Sequence, residues 1–291
     1  MKLKAENINM SFDKKRVLNN VSFEIESGKI TALIGRNGSG KTTILKILSR
    51  ILDAQSGETW IDDKNLLENP SLKENIAYLP DRFDYFNYEK GKAAIYYYET
   101  IYPDFDGNFL IDEAKKLDLS LETPIRNLSK GNKTILGLLI ILATNAKIIL
   151  VDEVLDGLDI LNRETISRYL LDAAENGRAI LVSSHQISEL KGLSDKVLYL
   201  SMDGHLKEQQ EDSGYSKFQI VTKEFLPKDI EEKVIVTSKL GRVYTVLFAG
   251  DKSLFKNYLN REEIVQYDEL LVQLEDLFYL ENKEVQKNEK L

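Results

Sequence analysis

The chain has 291 residues, 43% hydrophobic and 30% charged, an ordinary globular composition with length for one large domain or one domain plus an appendage. Its 47 acidic against 39 basic residues give a net charge of -8, which argues against a nucleic-acid partner because such binders usually carry a basic balance. There is no cysteine, so disulfides and zinc–thiolate sites are excluded and a reducing compartment suits the chain.

No apolar run reaches the roughly 18 residues of a membrane span. The stretch Met1-Lys2-Leu3-Lys4-Ala5-Glu6-Asn7 lacks the apolar core of a signal peptide and alternates almost at once. Residues 3–11 and 20–26 alternate apolar and polar, with Val21, Phe23 and Ile25 on one face. They read as two antiparallel strands joined by a polar turn at Asp13-Lys14-Lys15-Arg16. Phe12 ends the first strand, where an aromatic ring can stack on a purine.

Ile30-Thr31-Ala32-Leu33-Ile34 reads as a buried strand. Next comes Gly35-Arg36-Asn37-Gly38-Ser39-Gly40-Lys41-Thr42-Thr43, and Thr43 to Leu48 reads as a helix. Gly35 to Thr42 fit the phosphate-loop pattern G-x-x-x-x-G-K-[ST], and strand, glycine loop and helix are its expected setting. The glycines let the backbone approach a phosphate, and the helix N-terminus supplies positive field there. Lys41 is expected on the β- and γ-phosphates and Thr42 on Mg²⁺.

Ser56 to Ile61 reads as a turn and short strand, and Ile76-Ala77-Tyr78-Leu79 as a strand ended by Pro80. Asp81 follows, a carboxylate that could hold Mg²⁺ directly or through water. Residues 82–102 are rich in aromatics: Phe83, Tyr85, Phe86, Tyr88, Tyr96, Tyr97, Tyr98 and Tyr102. Amphipathic aromatics favour protein interfaces, although core packing explains about half of such residues. Residues 106–118 read as a polar amphipathic helix with Phe109, Ala114 and Leu117 inward. Leu128-Ser129-Lys130-Gly131-Asn132 opens an apolar helix from about Lys133 to Thr144, with Ser129 as its cap and its N-terminus a second potential anion site.

Ile148-Ile149-Leu150-Val151 reads as a buried parallel strand ending in Asp152-Glu153. Ligands bind at that edge of a doubly wound sheet. Asp152 is placed to hold Mg²⁺ through water, and Glu153 to orient or deprotonate an attacking water. Leu155-Asp156-Gly157-Leu158-Asp159 is a turn before a helix to about Asn176. Ala179 to Ser183 is the next strand, with His185 past its end, in reach of a γ-phosphate. Val197 to Leu200, a turn at Asp203-Gly204 and His205 to Lys207 form a closing hairpin in which His205 has a packing or solvated role. Gln209 to Gly214 reads as a linker. Beyond it strands are expected at 218–221, 233–236 and 243–247, helices at 254–259 and 269–279, and a frayed charged end from Asn282.

These motifs resemble the ATP-binding subunit of an ABC transporter over about residues 1–210. The resemblance rests on Phe12, the loop at 35–43, Asp81, LSKGN at 128–132, ILVDE at 149–153, LDGLD at 155–159 and His185, in that order. It implies an α/β fold: a P-loop NTPase core of the ABC type with an antiparallel β subdomain and a helical subdomain. A small α+β domain over 215–291, accessory or dimerising, is added.

By that resemblance Phe12, Gly35, Asn37, Gly38, Ser39, Gly40, Lys41, Thr42 and Thr43 bind ATP, joined by Ser129 and Gly131 from a second nucleotide-binding domain packed head to tail in a homodimer. Thr42, Asp81 and Asp152 hold Mg²⁺, and Glu153, His185 and Lys41 act in hydrolysis. The resemblance further implies a cytoplasmic protein on the inner face of the membrane, with a membrane subunit's coupling helix received near residues 82–102. Four positions depart from the family: Asp81 replaces glutamine, Lys130 and Asn132 replace glycine and glutamine, and Val154 replaces proline. With the C-terminal appendage they are similar to Gram-positive exporters of antimicrobial or amphipathic peptides, of the bacitracin-resistance and phenol-soluble-modulin type. Ribosome- or DNA-acting ATPases of the family are the alternative, but those usually carry paired cassettes or a long coiled coil, and sustained heptads do not occur here. A non-hydrolysing nucleotide switch is disfavoured by Glu153 and His185.

Overall fold

The structure is a computed structural model that describes residues 1–190, 192–208 and 214–270, with Val272 and Asp276. The expected linker at 209–214, apart from Gly214, and the charged end from Asn282 lie outside the described residues. The chain divides into two compact units, Met1–Glu208 and Gln209–Leu291.

The first unit is built on two sheets. Its strands in chain order are β1 (Lys2–Phe12), β2 (Lys15–Glu26), β3 (Ile30–Ile34), β4 (Ser56–Ile61), β5 (Lys64–Asn65), β6 (Ile76–Leu79), β7 (Ile148–Asp152), β8 (Ala179–Ser184), β9 (Lys196–Leu200) and β10 (Leu206–Glu208). The first sheet has the order β2-β1-β4-β5 and is antiparallel throughout. Alternation along β1 and β2 puts Leu3 opposite Ile25 on the inner face and sends the charged residues outward. β2 starts at Lys15, so the turn is shorter and the strand longer than its apolar pattern indicated. Lys15 to Asn20 carry few apolar residues, and pairing with β1 supplies the regularity.

The second sheet has the order β10-β9-β3-β8-β7-β6, parallel except for the hairpin strand β10. β3, β7 and β8 are buried at every residue, as central parallel strands covered on both faces must be. Leu3, Ile8 and Ile25 of the first sheet share one core with Leu33, Leu150 and Leu181 of the second and Ile44 and Ile47 of the helix following β3. Each such side chain contributes about 1.5–3 kcal/mol on burial.

The helices of this unit are α1 (Lys41–Leu48), α2 (Gly91–Ile101), α3 (Gly107–Lys116), α4 (Lys130–Ala143), α5 (Ile160–Glu175) and the short α6 (Ile187–Leu190). Ser129 caps α4, its Oγ accepting from Asn132 N–H at 3.1 Å, so the helix begins at Lys130, three residues before the expected start at Lys133. In α3 the buried residues are Leu110 and Ala114. Phe109 is only half-buried, because the helix turns Leu110 onto the core instead. Of the aromatics in 82–102, Phe83 is buried and Tyr85, Tyr88, Tyr96 and Tyr97 are exposed.

The second unit is a four-stranded antiparallel sheet of β11 (Tyr215–Thr222), β12 (Val234–Leu240), β13 (Val243–Ala249) and β14 (Ile264–Leu270), in the order β12-β13-β11-β14. Helices α7 (Lys228–Glu231) and α8 (Lys252–Leu259) join it, and Phe255 and Leu259 of α8 pack on Phe218, Ile220 and Val246. The helix expected over 269–279 is corrected at its start, since Glu269 and Leu270 end β14, paired with β11; apart from Val272 and Asp276 the rest of that expectation lies outside the described residues. Period-2 residues Val265, Tyr267 and Glu269 fit that strand, and partner pairing overrides the helical pattern.

Candidate active site

Parallel strands bring their carboxyl ends to one edge. Along it, in the order β3, β8, β7, β6, lie the phosphate-loop pattern, His185, Asp152-Glu153 and Asp81. Residues 110 positions apart in the chain thereby become neighbours. A cleft of about 460 Å³ opens there, lined by Phe12, Val17, Asn37, Gly38, Gly40, Lys41, Thr42, Thr43, Asp81 and Glu153.

Gly40 adopts φ 110°, and a Cβ there would come within 2.8 Å of Val17 Cγ1. Only glycine satisfies that turn. It delivers α1 with no side-chain cap on its N-terminus, so the first-turn N–H groups face the cleft, and the buried Ser39 Oγ has no hydrogen-bond partner. Lys41 is 3% exposed. Its Nζ donates to the Gly35 and Arg36 carbonyls at 2.7 and 3.2 Å and pairs with Glu153 Oε1 at 3.0 Å. A buried ammonium held by two carbonyls and one carboxylate, beside free N–H donors, fits a polyphosphate.

Asp152 is buried, and three hydroxyls converge on it. Thr42 Oγ1 donates to Oδ2 at 2.7 Å, Ser183 Oγ to Oδ1 at 2.5 Å, and Tyr78 Oη reaches Oδ2 at 3.4 Å. Burial, then the negative charge of Asp152, pushes the Tyr78 phenol far above its ordinary range. Thr42 and Asp152 offer a hydroxyl and a carboxylate at one point. Among the described residues no group of three or more acidic, histidine or cysteine side chains could cage a metal. That donor set fits a hard cation completed by phosphate and water, the usual manner of Mg²⁺.

Glu153 is left-handed, with φ 49°, a conformation that costs a non-glycine residue free energy and often marks functional positions. Its N–H donates to both the backbone O and the Oγ of Ser183, at 3.2 and 3.1 Å, which holds the turn. Glu153 Oε2 is 3.4 Å from His185 Nδ1, and His185 Nε2 is 3.8 Å from Asp156 Oδ1. The imidazole thus stands between two carboxylates, its Nε2 also 3.3 Å from the Gln186 amide nitrogen and its buried Nδ1 lacking an aligned hydrogen bond. The Asp81 carboxyl lies above its usual range. Loss of water is the main cause, Glu153 and Asp152 add to it, and Lys130 and Arg82 oppose it.

Ser129 and Gly131 do not line the cleft. Ser129 is exposed at the start of α4, while a Cβ on Gly131 would fall 2.3 Å from Asn162 Nδ2. Sequence reasoning passed over Ser183 and Tyr78, which hold the acids in place. Ser183 is directly across from Asp152 in the register of β7 and β8, a pairing no local sequence pattern marks.

The ABC transporter family profile matches residues 18–156. The ABC transporter ATP-binding protein YtrB of Bacillus subtilis is 29% identical over 283 residues, 95% of this chain and 96% of that protein. An ABC transporter ATP-binding protein of Methanocaldococcus jannaschii is 30% identical over 208 residues, 68% of this chain and 74% of its own length. The lantibiotic transport ATP-binding protein SrtF of Streptococcus pyogenes is 28% identical over 211 residues, 68% and 86% of the two chains. A solved ATP-binding subunit of an ABC transporter superposes with a TM-score of 0.67 at 21% identity, over 74% of this chain and 92% of that one. A phosphate loop, paired acids and histidine on one sheet edge, within these likenesses, lead to one assignment: the chain belongs to the ATP-binding subunits of ABC transporters.

Proposed function

We propose that the chain hydrolyses Mg·ATP between two copies of itself and so powers export through a separate membrane subunit. The observation that carries the reading is the linked arrangement of Lys41, Glu153 and His185, with contacts of 3.0 and 3.4 Å beside the Thr42–Asp152 pair. Phe12 stacks the base. The residues 35–43 and Lys41 hold the phosphates. Thr42, Asp152 and Asp81 hold Mg²⁺, which when bound neutralises phosphate charge. Glu153 orients and deprotonates the attacking water, and His185 contacts the γ-phosphate.

Ser129, exposed at the start of α4, and the buried Gly131 two residues on close over the γ-phosphate held by the partner copy, giving a two-fold dimer. Exposed Tyr85, Tyr88, Tyr96 and Tyr97 form the surface that receives the membrane subunit, since amphipathic aromatics dominate such contacts. This reading puts the protein on the cytoplasmic face of the membrane. Residues 215–291 act as an accessory domain. The likeness to YtrB over 95% of the chain supports a transporter's ATP-binding subunit, and the likeness to a lantibiotic transport ATP-binding protein supports a peptide cargo of the antimicrobial or amphipathic kind.

The test is Glu153→Gln. Turnover should fall by about 10²-fold or more while ATP still binds, because a neutral amide cannot take the water's proton. Turnover equal to wild type would overturn the assignment of Glu153.

A further inference from the structure

Lys130 occupies a signature position where the resemblance leads one to expect glycine, and its side chain is engaged. Nζ donates to the Asp156 carbonyl at 2.7 Å and lies 3.7 Å from Asp156 Oδ2. Asp156 Oδ1 faces His185 Nε2 at 3.8 Å, His185 Nδ1 faces Glu153 Oε2 at 3.4 Å, and Glu153 Oε1 meets Lys41 Nζ at 3.0 Å. One line of polar groups therefore runs from the first turn of α4 to the phosphate loop: ammonium, carboxylate, imidazole, carboxylate, ammonium.

The far end of the same turn is held as well. Arg163 Nη2 donates to the Leu158 carbonyl at 3.4 Å and pairs at 3.3 Å with Glu189, whose other oxygen accepts from Ser184 Oγ at 2.7 Å. Leu155 to Asp159 is thus gripped from α4 on one side and from the strand end preceding His185 on the other. A glycine at 130 would leave the Asp156 end without its cation.

We propose that Lys130 is a positioning residue for hydrolysis: it fixes Asp156, which holds His185 against Glu153, so that displacement of the start of α4 is felt at the water-activating carboxylate. The inference rests on the roles given above to Glu153 and His185. Coupling of this kind is carried by a contiguous set of contacts with shared partners, and such contacts are non-additive.

The experiment compares steady-state hydrolysis by the full chain carrying Lys130→Met, Lys130→Arg, Asp156→Ala and the Lys130→Met/Asp156→Ala pair. Lys130→Met should lower kcat about tenfold with KM for ATP changed less than about twofold. Lys130→Arg should recover most of the rate, because it retains the charge and the donors. The double variant should be no slower than Asp156→Ala alone. Lys130 is exposed, so the melting temperature should not move. Wild-type kcat in Lys130→Met, or losses that multiply in the double variant, overturns the proposal. If Glu153→Gln is inactive while Lys130→Met is normal, this inference alone fails. If Glu153→Gln keeps its turnover, the functional reading beneath it fails.

Discussion

Thr42 Oγ1 lies 2.7 Å from Asp152 Oδ2, which joins the helix after the phosphate loop to the last residue of a strand 110 positions later. The contact gives the carboxylate one of three hydroxyl partners and puts two hard oxygen donors together at the floor of the cleft. A carboxylate so deeply buried is stable only because its lone pairs are taken up.

Asp152→Asn should therefore reduce Mg²⁺-dependent hydrolysis by about 10²-fold, with the fold retained, because the amide oxygen can still accept from Ser183 Oγ and the amide N–H can donate to the reoriented hydroxyls of Thr42 and Tyr78. Magnesium titration of the steady-state rate checks this. The half-saturating Mg²⁺ concentration should rise in Asp152→Asn, and an unchanged titration curve would remove Asp152 from the metal's ligands.

Asp81 supplies a pH dependence. Its carboxyl is raised by desolvation and by Glu153 and Asp152, so the folded protein disfavours the ionised form. The stabilising contribution is present below the ordinary carboxylate pKa and is lost as pH rises through the raised one. At neutral pH the charge opposes folding, by less than about 1 kcal/mol for so exposed a group. Asp81→Asn, measured without magnesium, should melt higher at pH 7, by less than about 2–4 °C for a unit of this size, and match wild type near pH 3. A stabilisation that persists undiminished in acid would contradict this account.

Gly131 tests packing apart from chemistry. In a helix, alanine is favoured over glycine by about 1 kcal/mol. Against that, the added Cβ meets Asn162 Nδ2 at 2.3 Å and its Cγ at 2.7 Å, and Asn162 is itself bonded to Asp159 at 2.5 Å. Overpacking of about 1–3 kcal/mol should win. Denaturant unfolding of Gly131→Ala should report a net loss of about 1 kcal/mol, and Gly131→Ala/Asn162→Ala should recover it. A Gly131→Ala protein as stable as wild type would mean that the Asn162 side chain moves aside freely.

Much of the site was legible because its chemistry is concentrated at strand ends. The apolar runs 30–34, 148–151 and 179–183 appear as β3, β7 and β8, and the polar residues after each run come together at one edge. Phe12 and Asp81 come to the same cleft from other elements. The hold on the acids was not legible. Ser183 lies inside an apolar run, and only the β7–β8 register puts it opposite Asp152. Nor does anything local mark the partner of Lys130, since its contact with Asp156 spans 26 residues and depends on how α4 meets the turn before α5. At 269–270 the helical periodicity misled, because pairing with β11 decides that segment.

In the proposed dimer one copy's phosphate loop and another's signature share a nucleotide. The chain has no cysteine, so single thiols can be introduced cleanly. Copies carrying Asn37→Cys and copies carrying Ser129→Cys, both with Glu153→Gln, would be mixed and treated with a short bis-thiol reagent. A mixed cross-linked dimer that forms with Mg·ATP and not without it is the predicted result; a yield indifferent to ATP, or no mixed dimer at all, would contradict it.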